Sequence, residues 1–241
     1  MRFGGHSLSV RFVRDFLDFR RMASAGKRRF PVLWRDRYPC LDDNTPTIGF
    51  DRHYVYHPAW AARILARTMP PYHVDISSTL HFCSIVSAFV PVRFYDYRPV
   101  RLDLENLETG VADLLSLPFE DKSLPSLSCM HVVEHVGLGR YGDPLDPDGD
   151  LKSAAELKRV LGDGGSLIFV VPVGKPRIHF NAHRVYSYGQ VVDCFAGFDL
   201  REFALVPDDP KEGGIILNAP RDVADSQMYG CGCFWFQRPG P

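Results

Sequence analysis

The chemistry in this sequence is concentrated in three groups of polar side chains. His131-Val-Val-Glu-His135 sets two imidazoles and a carboxylate within five positions, and His183 follows in the stretch HFNAHR. Histidine titrates near neutral pH, so His135 first and then His183 are the candidates for accepting a proton from a reacting hydroxyl. The spelling HxxEH is shared with zinc proteases, where a helix puts both histidines on one face. Here the apolar run ahead of it, residues 127–133, reads as a strand, which does not hold two ligands in that geometry. A second group, Asp143, Asp146, Asp148 and Asp150 in GDPLDPDGDL, offers the oxygens that Mg²⁺ or Ca²⁺ prefers. Asp143, Asp146 and Asp148 are therefore candidate ligands for a divalent metal ion, while Asp150 has the alternative of capping a helix that begins at Leu151. The third group comprises Asp75, Ser77 and Ser78 in HVDISSTLHF and Asp96 in RFYDYRPV. Asp96 lies one strand-helix-strand step after Asp75, a spacing that suits a carboxylate accepting two hydrogen bonds from ribose hydroxyls.

Positioning these groups falls to a sheet. From residue 73 onward strand and helix signals alternate, which favours a parallel sheet covered by helices on both faces. The pattern predicts strands over 73–76, 92–97, 110–113, 127–133, 166–173, 198–206 and 231–237. Helices are expected over 78–89, 150–161 and 187–196, the last opening on a capping box formed by Ser187 and Gln190. Ligands of such a sheet bind beyond the carboxyl ends of its strands, where the turn after Asp75, Asp96 and His135 all fall. Ahead of the sheet, HPAWAARILARTM reads as a helix over 57–69 with Pro58 in its first turn. Just before it, FDRHYVYHPAW collects aromatics and histidines. Residues 8–24 place Leu8, Phe12, Val13, Phe16 and Leu17 near one helix face with arginines largely opposite. That stripe suits packing on the domain's own core, or peripheral contact with an anionic membrane surface.

The bulk numbers bound the rest. With 241 residues and 45% hydrophobic content the chain can bury one sizeable core, and a division into an N-terminal extension or lid (1–70) and a main domain (71–241) is expected. A net charge of -1 argues against a surface built for nucleic acid, so no nucleic-acid partner is expected. No run approaches the roughly 20 apolar residues that span a bilayer. The arginines at 11 and 14 break the apolar stretch that a signal peptide needs. The six cysteines are scattered, with only Cys231 and Cys233 close together and no CxxC pair, which fits free thiols in a reducing cytoplasm.

Two stretches narrow the class further. VADLLSLPFEDKSLPSLSCMHVVEHV, residues 111–136, followed by LKSAAELKRVLGDGGSLIFVVPV, residues 151–173, resembles the class I S-adenosylmethionine-dependent methyltransferases. The succession of an acid before LPF, an apolar strand ending in H-V-x-E-H, and a helix ELKRVL closed by a glycine-rich turn, here Gly162-Asp-Gly-Gly165, is familiar there. YDYRP, HVVEHVGLGRYGDPLDPDGDL and VPVGKPRIHFNAHRVYS look like a less characterised branch of that superfamily. The resemblance covers roughly residues 70–237 and implies a Rossmann-like, seven-stranded, mostly parallel α/β sheet with an N-terminal helical extension. It also implies S-adenosylmethionine as cofactor and methyl transfer to a sugar hydroxyl or other small polar acceptor. On this basis Asp113 faces the adenine amino group with Leu114 beside the ring, and Asp96 holds the ribose. Asp75, Ser77 and Ser78 meet the methionine portion, and His131 lies at the fourth strand's end near the transferable methyl. A non-catalytic methyltransferase-like module that binds a partner or glycan is the alternative. Where the superfamily usually has Asp-x-Gly-x-Gly this chain has Asp75-Ile-Ser-Ser-Thr79. Serine in a positive-φ turn costs about 1 kcal/mol or more, although Ser and Thr also cap helices well.

Overall fold

Strands buried on both faces read as continuous apolar runs, and the computed structural model shows how such a run is divided. It describes residues 9–26, 30–98 and 100–240, which fall into two compact units meeting between Phe50 and Asp51.

In the first unit, α1 (Val10–Ala25) starts at Ser9, whose hydroxyl accepts the Phe12 N–H at 3.1 Å. Phe12 and Phe16 turn their rings to Trp34 at 6.5 and 4.9 Å, while Val10 and Leu17 are exposed. Leu8, the first residue of the expected stripe, lies outside the described residues. Among those described, no helix is long and apolar enough to cross a membrane.

The second unit opens with α2 (Arg52–Thr68), which starts before the expected His57 and carries Pro58 in its interior. Asp51 caps it by accepting the Tyr54 N–H. Its buried face of His57, Trp60, Ala61, Ile64 and Leu65 packs on the sheet, and that packing outweighs the hydrogen bond Pro58 cannot donate. The helix thus goes with the sheet, and the boundary falls at 50 rather than 70.

The sheet contains β1 (His73–Ile76), β2 (Val92–Asp96), β3 (Leu107–Val111), β4 (Leu124–Met130), β5 (Leu161–Val173), β8 (Asp199–Val206), β9 (Ile216–Leu217) and β10 (Gly230–Gln237). Their order is β3-β2-β1-β4-β5-β10-β8-β9. The first five run parallel; β10 is antiparallel to both β5 and β8. The sheet therefore has eight strands rather than seven, because the long insert before β10 adds the two-residue edge strand β9. The insert also forms α6 (Arg221–Ser226), and β6 (Arg177–His179) and β7 (His183–Val185) make a separate hairpin. The short helix α3 (Leu80–Val86) and α2 cover one face; α4 (Gly149–Val160) and α5 (Tyr188–Cys194) cover the other. Along β5, Leu167, Phe169, Val171 and Val173 join the α4–α5 core while Ile168 and Val170 join the α2–α3 core. One strand serves two cores at period two.

Two details differ from the sequence reading. Strand pairing in β5 begins at Leu161, directly after α4, so Gly162–Gly165 is part of the ladder and Gly164 alone there has positive φ, +75°. The cap of α4 is Asp148, while Asp150 lies buried inside the first turn.

Polar groups also enter the sheet. His73 is fully buried between the hydroxyls of Ser126 and Ser128, at 2.8 and 2.9 Å, and burial lowers its pKa to about 3, so it is neutral. Asp75 beside it is fully buried, and neither carboxylate oxygen has a hydrogen-bond partner. Burial raises its pKa to about 7, a shift that the nearby Ser78 and Ser128 hydroxyls oppose without closing a bond of normal geometry. The folded state therefore holds a proton on Asp75 that the unfolded state releases above 3.8, and stability falls as pH rises through that window. The difference amounts to about 4 kcal/mol, order of magnitude, above neutral pH. Urea unfolding of wild type and Asp75→Asn at a series of pH values checks this: the variant's advantage should grow from pH 4 to pH 7 and then level off.

Candidate functional site

The carboxyl ends of β1 to β4 bring the predicted residues together. Asp96 is the last residue of β2, Asp113 follows β3, and Ser77 and His131 are the first residues beyond β1 and β4. Both Ser77 and His131 have left-handed backbones, φ +54° and +58°, which turn the chain sharply out of the sheet. The Ser77 N–H donates to the Tyr95 carbonyl at 2.7 Å, which holds the turn. The helix after it is capped by Thr79, whose hydroxyl accepts the Phe82 N–H.

These residues surround a cleft of about 840 Å³, open to solvent, with Ser77, Asp96, Asp113, Leu114 and His131 on its walls. Asp96 accepts the Arg98 N–H at 2.8 Å and Asp113 the Leu115 N–H at 2.9 Å, which leaves each a second oxygen. A second cleft, of about 1210 Å³, is lined by Ser78, Thr79, Glu134, His183, Tyr54 and Tyr229. The two share Ser77, His131, His135 and Tyr141. Predicted cofactor residues and predicted proton acceptors thus meet on a common wall.

That wall is organised by Glu134, 1% exposed. Its Oε1 accepts from His131 Nδ1 at 2.9 Å and lies 3.8 Å from His135 Nε2. His135 Nδ1 is 2.6 Å from the Ala182 carbonyl oxygen, a contact that requires the proton on Nδ1 and leaves the lone pair on Nε2. Arg140 then donates to the same carbonyl, at 3.1 Å. Burial lowers the His135 pKa below 6.5 against the opposing pull of Glu134, so the ring is a neutral base near pH 7. His183 is lowered too, by burial and then by His179, and its ring lies 6.5 Å from that of His135. Tyr54 and Tyr229 are pushed up to about 12 by burial and then by Glu134, so both phenols stay protonated donors.

The loop after His135 explains the aspartates. Gly137 has φ +80°, and a Cβ there would collide with the Asp146 carbonyl. Asp143 lines the first cleft but spends its carboxylate on the N–H groups of Gly137, Gly139 and Tyr141, which outweigh burial and lower its pKa. Asp146 accepts the Asp148 N–H and pairs with Lys152 at 2.6 Å. Asp143 and Asp146 thus spend their carboxylates on bracing the loop, while Asp148 stands at the start of α4 with no side-chain cap hydrogen bond. Asp75 lines neither cleft; it lies beneath the Ser77 turn, buried in the sheet. The buried Arg184 of β7 staples the loop, donating to the Val136 carbonyl at 2.7 Å and the Pro147 carbonyl at 3.2 Å beside Asp150 at 3.5 Å.

Sequence reasoning missed a cluster behind this wall. His53 stacks on His131 at 5.4 Å and on Tyr229 at 5.3 Å, His57 packs edge-on to His131 at 5.0 Å, and Cys231 Sγ lies 3.4 Å from His131 Nε2. His53 is lowered to about 4 by burial and then by His131. Two signals for it were present: an i, i+4 histidine pair in a helical stretch and an i, i+2 cysteine pair in a strand.

Comparison with known proteins agrees with the scaffold. The family model described as Caenorhabditis protein of unknown function, DUF268, matches residues 121–211. No curated protein matches in sequence. Among solved structures, a SAM-dependent methyltransferase from Thermotoga maritima is similar with TM-score 0.51 and 14% identity, covering 78% of this chain and 91% of that one. The [4+2]-cyclase SpnF is similar with TM-score 0.54 and 13% identity, over 76% and 82%. YcgJ from Bacillus subtilis follows with 0.51 and 14%, over 76% and 100%. These likenesses show the class I methyltransferase fold, and SpnF shows that it hosts more than one chemistry.

The Ser77 backbone sets a test of the turn. A β-branched residue at φ +54° is more strained than serine, and glycine is unstrained. Ser77→Val should lose about 1–2 kcal/mol in thermal unfolding, whereas Ser77→Gly should stay within about 1 kcal/mol of wild type.

Proposed function

We propose that this chain is an S-adenosylmethionine-dependent methyltransferase acting on a hydroxyl of a sugar or another small polar acceptor. The observation that carries the reading is the shared wall of two clefts. One is walled by Asp96, Asp113 and Leu114 in the positions that suit ribose, adenine amino group and adenine ring; the other holds His183, Tyr54 and Tyr229; His131 and His135 border both. Bound there, the cofactor would supply an electrophilic methyl group. The residues' own part is orientation and proton removal: the ribose needs acceptors from Asp96, and the acceptor hydroxyl needs a base, for which His135 Nε2 is free and neutral. S-adenosylmethionine carries no phosphate, so it needs less of the anion cradle that glycines provide than a dinucleotide does.

Two measurements test this. Calorimetric titration with S-adenosylhomocysteine should give micromolar binding that Asp96→Ala weakens about 10- to 100-fold, the size of a lost charged hydrogen bond. Silence from well-folded protein would instead support a non-catalytic module on the same scaffold. With an acceptor in hand, kcat/KM should rise with pH through the His135 pKa, with a midpoint below 6.5 because burial lowers that pKa. His135→Gln should lose this limb and about 10²- to 10⁴-fold of the rate.

A further inference from the structure

We propose that His53, His131 and Cys231 bind a thiophilic divalent metal ion of the Zn²⁺ class, at a site separate from the aspartate loop. One ligand atom from each of the three lies within 4.8 Å of the others, the one such grouping of three metal-ligating side chains among the described residues. They come from the first turn of α2, the residue after β4 and the second residue of β10, so local sequence proximity does not account for their convergence.

The chemistry of each donor fits. Glu134 accepts from His131 Nδ1, which fixes the proton there and leaves the Nε2 lone pair facing Cys231 Sγ at 3.4 Å. This is the carboxylate–histidine–metal arrangement, in which the outer carboxylate sets the tautomer and raises the basicity of the ligand. The spacing of His131 and Cys231 also fits an ion of tetrahedral habit. With about 2.3 Å to sulfur and about 2.0–2.1 Å to nitrogen, such an ion separates nitrogen from sulfur by about 3.5 Å. Here the His131 nitrogen and Cys231 sulfur are 3.4 Å apart. His57, whose buried Nε2 has no hydrogen-bond partner, packs against the same His131 ring.

Loading the site breaks the Cys231 S–H bond, sends that proton to solvent and forms a sulfur–metal bond; the imidazoles bind neutral and release nothing. Because His131 also lines both clefts, the ion would sit behind the wall where the acceptor is placed.

The test uses the full chain, stripped with chelator, and the metal alone. Calorimetry should show one Zn²⁺ per chain, and Co²⁺ should give a thiolate-to-metal charge-transfer band. Cys231→Ser should abolish the band, and both it and His53→Gln should weaken Zn²⁺ at least about tenfold, with Glu134→Gln weaker by about 10- to 100-fold. Asp146→Asn should bind as wild type. The proposal is overturned if no stoichiometric binding occurs, if Cys231→Ser and His53→Gln leave it unchanged, or if Asp146→Asn is the variant that loses it. Far-UV circular dichroism confirms folding, and Cys231→Ala replaces the serine variant if that fails. S-adenosylhomocysteine titration of metal-free protein is read separately, so failure of the methyl-transfer reading leaves this result intact.

Discussion

A carboxylate taken out of water must be met by donors or it costs several kcal/mol, and Glu134, 1% exposed, is the carboxylate on which this site is organised. One oxygen is met by His131 Nδ1; the other has no protein partner. From that single contact the rest follows. It fixes the His131 tautomer, and Glu134 adds to the burial that raises the Tyr54 and Tyr229 phenols and opposes the burial that lowers His135.

Stability is spent around the same place. Asp75 is buried without a hydrogen bond, Ser77 and His131 hold left-handed backbones without being glycine, and Pro58 interrupts the ladder of α2. Each is a local conflict that the packing of two cores against one sheet overrides. Such conflicts gather at functional sites, and here Ser77 and His131 line both clefts.

Much of the scaffold was legible because its signals are local. Alternating strand and helix patterns, the capping box at Ser187, and acids just past strand ends all rest on short spacings, and Asp96, Asp113, Leu114, His131, His135 and His183 do converge. What was not legible depends on long-range placement. The loop bracing by Asp143 and Asp146 rests on the N–H groups of Gly137, Gly139, Tyr141 and Asp148 and on Lys152, none of which spacing reveals. The start of α2 was missed because Pro58 reads as a first-turn residue, while Asp51 and the buried Trp60 face extend the helix beyond it. Asp75 was read as a cofactor residue because an acid near a strand end looks ligating; it is fully buried in β1, and burial raises its pKa to about 7.

The polarity of the chain explains why distant segments reach one edge. The parallel strands β1 to β5 all finish at the cleft end, so any strand running the other way must begin there. β10 is that strand: Gly230 pairs with Val173 at the finish of β5, which puts Tyr229 and Cys231 at that end, with Cys231 3.4 Å from His131 just past β4. The same logic governs α2. It returns to the start of β1 through a short connection after Thr68, so its own first turn, with His53 and Tyr54, lies at the opposite end, over the cleft. A helix that enters and a strand that reverses thus deliver their first residues to the wall that Glu134 organises. The inner cluster of His53, His131 and Cys231 is a consequence of topology before it is a matter of any single side chain.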